Sequence, residues 1–159
     1  MKAASIRELQ KELTLLEPKQ VLELCLRLAK YKKDNKELLS YLLFEAHDEK
    51  TYIKTIKEQM DLDFSGINRN TSYLTKKSLR KILRAVNKFI KYSGSKQTEV
   101  ELRIYFCSKV KAARIAIDTS TVLSNLYNRE IEKIKTALSK LHEDLQYDHK
   151  QELERLFVM

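Results

Sequence analysis

The chain has 159 residues, which is enough for one domain with a buried core and without a stabilising disulfide or metal. Two glycines and one proline are too few for the tight turns of a sheet protein, so the composition favours an all-α fold. The net charge of +9 favours anionic partners, and no segment approaches the roughly 18 apolar residues of a membrane-spanning helix. We expect a soluble, cytoplasmic protein of a reducing compartment, bacterial or cytosolic in type, because the first residues lead into a polar helix without an apolar signal segment.

Three helices are predicted in the first third of the chain. Ser5 to Glu8 read as a capping box, in which each side chain satisfies a free backbone N–H at the start of the first helix. Pro18 marks the first turn of the second helix, where its missing N–H is harmless. The apolar residues of this second helix cover a wide arc, which predicts a central, buried position. The third helix is expected from Lys36 to His47.

The middle of the chain is predicted to hold two helices and one long loop. Asp48 is a suitable cap for the fourth helix. Residues 61–74 lack a helical period and contain glycine, asparagine, serine and threonine, so we expect an irregular connection there. The fifth helix is predicted over residues 75–92, and Gly94 suits the left-handed conformation that ends many helices.

The last third is predicted to hold two long helices and a short final segment. Thr98 to Glu101 read as a second capping box, which would open a sixth helix reaching Ile117. A break at 118–120 precedes the seventh helix, and residues 148–157 form the short end. We therefore predict a single domain over 1–159 with about seven helices, arranged as stacked antiparallel hairpins or as a bundle.

The most distinctive feature of the sequence is the basic face of the fifth helix. Its apolar residues fall in one sector and its cations in the opposite sector, and no Asp or Glu occurs from residue 64 to residue 98. Like charges four residues apart destabilise a helix, so either acids of a neighbouring helix or an external anionic partner should neutralise them. The candidate contacts, called here the basic stripe, are Lys77, Arg80, Lys81, Arg84, Lys88 and Lys91. Tyr73 and Tyr92 flank the basic stripe and are candidates for stacking on unpaired bases.

Other chemistries find little support in the sequence. Cys25 and Cys107 lie in apolar runs, which favours two buried thiols over metal ligands. The three histidines lack the Glu-x-x-His spacing of carboxylate-bridged metal bundles. No nucleophile motif and no glycine-rich phosphate loop occurs. We therefore expect no catalytic residues, no metal and no cofactor.

These observations favour a non-enzymatic binding protein whose basic helix contacts an acidic partner, with nucleic acid first and an acidic protein second. The alternative is a helical protein–protein interaction scaffold or a self-associating subunit, in which the basic stripe would meet an acidic surface such as the one residues 37–65 provide. A membrane-surface helix is disfavoured, because the apolar face of the fifth helix is needed by the fold.

The opening of the chain, SIRELQKELTLLEPKQVLELCLRLAKYKKDNKELLSYLLFEA, resembles an uncharacterised family of small bacterial all-helical proteins. Members of that family open with a Leu-Lys-Lys-Glu-Leu-type helix, continue with a second helix started by Pro or Ser, and then carry an Asn-Lys-Glu segment before Tyr-Leu. The same residues are similar to the SAP module, a DNA-binding helical pair, although the glycine usual between its helices is absent. The resemblance implies a helical protein and transfers no site residue.

Overall fold

A computed structural model describes residues 1–157. No strand occurs in this part of the chain, so the predicted all-α class is confirmed. A π-helical turn at Tyr41–Glu45 and a 3-10 turn at Ile117–Thr119 accompany the α-helices. The α-helices are α1 Ile6–Thr14, α2 Pro18–Tyr31, α3 Lys33–Ser40, α4 Glu49–Ser65, α5 Ser72–Ser93, α6 Lys96–Ala112, α7 Thr121–Leu138 and α8 Glu143–Arg155.

The chain divides into two compact units. The N-terminal unit is Met1–Phe44 and holds α1, α2 and α3. The C-terminal unit begins at Glu45 and holds α4 to α8. The single domain that the sequence predicts over residues 1–159 stays a prediction.

The three α-helices of the N-terminal unit form without a buried core, and the one buried residue of the unit is Tyr41 in the π-helical turn. The capping box of Ser5 and Glu8 is present as predicted, and α2 contacts α3. No residue of α1, α2 or α3 is buried. The predicted central position of α2 is therefore wrong, and so is the predicted burial of Cys25, which is exposed. The reason is geometric, since the eight residues of α3 cover only part of the wide apolar arc of α2.

The C-terminal unit is built around α6. This helix contacts α4, α5, α7 and α8, as expected for the central helix of a bundle. Val100, Leu102, Phe106 and Cys107 are 0% exposed, so α6 buries residues on most sides. The predicted burial of Cys107 is thereby confirmed. Burial also raises the pKa of the Cys107 thiol, which stays protonated and unreactive.

Two helix boundaries differ from the sequence prediction because of packing. Residues 61–65, expected in a loop, continue α4, because Met60 and Phe64 lie one turn apart and both face the core. The connection is therefore only residues 66–71, and Thr71 caps α5 by accepting a hydrogen bond from the Leu74 amide. The third helix was expected from Lys36 to His47, whereas α3 begins three residues earlier, at Lys33, and the π-helical turn continues the helical stretch to Glu45.

The predicted capping box at Thr98 is wrong. Ser95 is the cap of α6, and it accepts a hydrogen bond from the Thr98 amide. Thr98 is instead buried inside the helix, where its hydroxyl donates to Glu49 Oε1 at 2.6 Å. The helix also ends at Ala112 rather than Ile117. At the other end of the chain, α8 is a full helix of 13 residues rather than a short segment.

The contact between α4 and α6 includes a hydrogen-bonded tyrosine. The Tyr105 hydroxyl donates to Asp61 Oδ1 at 2.8 Å, and Lys109 Nζ lies 2.9 Å from the same carboxylate. Burial, together with the hydrogen bond to Asp61, raises the pKa of Tyr105 to about 12. Hydrogen bonds from Lys109 and Tyr105 lower the pKa of Asp61.

The raised pKa of Tyr105 predicts that the folded protein loses stability at alkaline pH. An unfolded tyrosine loses its proton near pH ~10, whereas folded Tyr105 keeps it to about 12, so the free energy of unfolding should fall as pH rises through that window. Tyr105→Phe should make the fall shallower, as measured by urea unfolding at stepped pH. Tyr127, whose pKa burial also raises to about 12, leaves a residual slope. An unchanged slope in Tyr105→Phe would contradict the assignment.

The backbone conformations of Gly66 and Gly94 predict different changes in stability when each is replaced by alanine. Gly94 ends α5 with φ at +67°, the left-handed conformation expected from the sequence, while Gly66 has φ at −97°. Gly94→Ala should lower the free energy of unfolding by about 1 kcal/mol, because a Cβ strains this backbone even though nothing lies within 4 Å. Gly66→Ala is the matched control and should be neutral or slightly stabilising. Equal effects in chemical unfolding would argue against this account.

Candidate nucleic-acid interface

A basic groove lies between α5 and α7 in the C-terminal unit. It encloses about 600 Å³, and both of its walls carry cations. We define the basic groove by its six cationic side chains, which are Lys76, Lys77, Arg80 and Arg84 from α5 with Arg129 and Lys133 from α7.

The amphipathic pattern of α5 fixes where its cations lie. Leu79 and Val86 are each 1% exposed, and Ile82 and Ile90 are also buried. Because these residues recur every three or four positions, they form one face of the helix and leave the opposite face to solvent. The predicted amphipathic helix is confirmed, and it begins three residues earlier than expected, at Ser72.

The basic groove takes in half of the basic stripe. Lys77, Arg80 and Arg84 line it. Lys81 and Lys88 are not among its lining residues, since they lie further round the helix. Lys91 borders an adjoining hollow of about 400 Å³ that shares Asn87 and Lys133 with the basic groove.

The two candidate stacking residues lie in different surroundings. Tyr73 is 65% exposed and lines the basic groove, and Lys76 Nζ lies 5.8 Å from the centre of its ring. Tyr92 does not line the groove. Its ring meets Phe89 edge-on, with centroids 6.4 Å apart. Tyr73 is therefore the candidate placed beside the cations.

Sequence reasoning missed the second wall of the basic groove. Arg129 and Lys133 lie on the same side of α7 as Val122 and Asn125, at spacings of three and four residues. That spacing was visible in the sequence, but α7 also carries acids, so it lacks the acid-free signal of α5. The pairing of the two helices is a tertiary contact, which the sequence pattern does not reveal.

The cations of the basic groove keep their charge available. Within residues 1–157, no acidic side chain forms an ion pair with Lys77, Arg80 or Arg84, or with Arg129 across the groove. The one acid among the groove's described lining residues is Glu130, which is 2% exposed. Ion pairing with acids of a neighbouring helix, one of the two alternatives from the sequence, is therefore not found in this part of the chain for Lys77, Arg80 and Arg84.

The charge of Glu130 is compensated by the buried Arg103 and by one cation of the groove itself, Lys133. Its carboxylate accepts a hydrogen bond from Arg103 at 2.7 Å and another from Lys133 Nζ at 2.8 Å. Arg103, which is 6% exposed, also donates to Asn87 Oδ1 at 2.9 Å and to Glu99 Oε1 at 3.1 Å. A buried charge is tolerated when it is paired and hydrogen-bonded in this way.

Glu99 completes the network as an ionised group. Its burial alone would raise the pKa of the carboxyl, but hydrogen bonds from Lys96 and Arg103 outweigh burial, and the net pKa is lowered. Three helices thus contribute to one polar cluster beneath the basic groove. Asn87 comes from α5, Glu99 and Arg103 come from α6, and Glu130 comes from α7.

Comparison of the chain with protein-family models, with curated proteins and with solved structures finds no match. The resemblance of the opening residues therefore transfers neither a family nor a function. In residues 1–157, no three His, Cys, Asp or Glu side chains are grouped as a metal site would require. None of the helices in that range combines the length and the apolar character needed to cross a bilayer.

The buried ion pair of Arg103 and Glu130 predicts a large loss of stability when one partner is removed. Glu130→Leu should lower the free energy of unfolding by about 3–5 kcal/mol, because Arg103 would remain buried without this partner. Adding Arg103→Leu should cost less than the sum of the two single changes, since the two charges are coupled. Chemical unfolding measures all three variants.

An exposed ion pair supplies the control for this prediction. Glu132 and Lys135 meet at 2.8 Å, but their side chains are 70% and 50% exposed. Glu132→Leu should change the stability by less than about 1 kcal/mol, because surface pairs are screened by water. Strictly additive effects of Arg103→Leu and Glu130→Leu would show that the buried pair is not the coupling element.

Proposed function

We propose that this chain is a non-enzymatic binding protein whose basic groove holds the sugar–phosphate backbone of a nucleic acid. The observation that carries the proposal is the convergence of cations from α5 and α7 on one groove. Among the described residues, five of the six cations form no ion pair with an acid, and Lys133 pairs with Glu130. Anionic partners are attracted to such a concave cationic surface, and low-dielectric walls strengthen the field.

The chemistry of the side chains fits phosphate. Three of the six groove cations are arginines, namely Arg80, Arg84 and Arg129. A guanidinium group donates two parallel hydrogen bonds to a phosphate, which a lysine ammonium group does not. Lys77, Arg80 and Arg84 follow one another by about one helical turn each, or roughly 5 Å. Contacts of this kind position a backbone and carry little sequence information.

A single strand fits the basic groove better than a duplex does. Tyr73 offers an exposed ring beside Lys76 and Lys77 at one end of the groove. Stacking of a base on an aromatic ring contributes about 1–3 kcal/mol and tolerates any base. An unpaired base can reach that ring, whereas a base within a duplex is already stacked on its neighbours.

The proposal is tested by fluorescence anisotropy with labelled single-stranded and double-stranded DNA and RNA over a range of salt concentrations. Replacing Lys77, Arg80 and Arg84 together by glutamine should weaken binding and flatten the plot of log K against log salt by about 2, which is close to 0.7 per lost contact on a single strand. Tyr73→Leu should weaken single-strand binding with little change in that slope.

The matched control removes three exposed cations outside the basic groove. Lys54, Lys140 and Lys150 replaced by glutamine lower the net charge by the same amount and should leave affinity and slope nearly unchanged. Equal losses in the two triple variants would mean that net charge, rather than the groove, drives binding. No binding at low salt would exclude nucleic acid and favour the alternative, an acidic protein partner.

A further inference from the structure

The N-terminal unit carries an apolar surface that the rest of its own helices leave uncovered. Thirteen large hydrophobic residues between Ile6 and Phe44 are exposed, against five in residues 45–157. Ile6 is 80% exposed, Leu28 is 62% exposed and Phe44 is 69% exposed. Isolated apolar side chains on a surface need no explanation, but a concentration of this size in 44 residues marks an interaction surface.

The helices of this unit need a partner for their stability. Ordering a residue costs about 1–2 kcal/mol of backbone entropy, and burial of apolar surface is the main term that offsets it. The unit has no buried residue in its three α-helices, which have 9, 14 and 8 residues. Isolated helices shorter than about 12–15 residues are marginal in water.

We propose that the N-terminal unit is a self-association module, and that the apolar face of α2 around Cys25 packs against the same face of a second copy of this chain across a two-fold axis. Two-fold homodimers are the commonest oligomers of proteins, and their interfaces pair identical surfaces. This proposal is independent of the basic groove and of its partner.

The area available on the unit is sufficient for such an interface. The exposed apolar side chains of the three helices and the π-helical turn together present on the order of 1,000 Å², and each partner of a stable complex buries about 800 Å², so the interface has to take in most of these residues with the face of α2 at its centre. On α2, the apolar positions cover well over half of the circumference, so α3 can cover one part while a second copy covers another.

The charges favour a second copy over a charged partner. The chain carries +9, so two copies repel one another unless they meet on a neutral surface. Residues 5–29, which span α1 and α2 as far as Ala29, provide that surface, because they hold four acids, Glu8, Glu12, Glu17 and Glu23, and four bases, Arg7, Lys11, Lys19 and Arg27, whereas Lys30, Lys32 and Lys33 lie at and beyond the end of α2. A nucleic acid would find no excess of positive charge there, and an acidic protein would find none either.

Cys25 gives a direct probe of the proposed geometry. It is exposed on the apolar face of α2, whereas Cys107 is buried, so a thiol reagent meets only Cys25 in the folded protein. If α2 meets α2 of a second copy near its middle, the two Cys25 thiols lie close together. A short bismaleimide linker should then join two full-length chains.

The test combines mass and cross-linking on the full chain. Sedimentation equilibrium should give twice 18.8 kDa at micromolar concentration, and the linker should give a covalent dimer that Cys25→Ser abolishes. Leu22→Lys with Leu26→Lys should weaken the dimer at least about tenfold. The matched control, Leu62→Lys, changes an exposed leucine of the C-terminal unit and should leave the dimer intact.

Two results would overturn the proposal. A mass of 18.8 kDa for the unmodified protein at every concentration would exclude self-association. A dimer that Leu22→Lys with Leu26→Lys leaves unchanged, and whose Cys25 thiols the linker does not join, would place the interface elsewhere. Because both results use the unmodified chain or a readout of mass, partial unfolding of the lysine variant does not obscure them.

Discussion

The buried ion pair of Arg103 and Glu130 is the constraint on which the basic groove depends. Two charges removed from water are tolerated only when each finds its partners, and here each does. The hydrogen bonds reach Asn87 on α5 and join α6 to α7, so the three helices are held in one register. Because Arg103 holds one oxygen of Glu130 from below, the one acid of the groove's described lining pairs with a single cation of the groove, Lys133. The positive face of the groove is thus a consequence of the polar cluster in the core.

How far the sequence predicts this structure depends on how many sides of each helix are covered. Helix α5 buries one face, so its period, its cations and its ending at Gly94 were all readable. Helix α6 is covered by four neighbours, and its apolar residues occupy most directions. Thr98 lies inside this helix, although the sequence around it resembles a cap. Its hydroxyl donates a hydrogen bond to Glu49, which lies 49 positions away in the chain, so the local sequence does not reveal this partner.

The N-terminal unit shows the same limit of sequence-based prediction, here for a helix whose apolar residues are exposed. Its second helix has an apolar arc as wide as that of a core helix, so the sequence predicted burial for α2 and for Cys25. The prediction treated the chain as its own only source of cover. An apolar period shows that a face needs to be covered, but it does not show whether the same chain or another copy covers it. The exposed leucines of α2 therefore indicate a surface that another molecule covers, whereas buried leucines would only have indicated a core.

The two proposals reinforce each other without depending on each other. A chain that dimerises through residues 1–44 carries two basic grooves in one particle, each in a separate C-terminal unit. Binding of one groove to a long strand would then raise the effective concentration of the second groove near the same strand. A long single strand should therefore bind much more tightly than one too short to reach both grooves, and the difference should vanish in the Leu22→Lys, Leu26→Lys variant. Weak phosphate contacts of little sequence preference gain most from this arrangement, because two modest interactions on one strand add to a tight one.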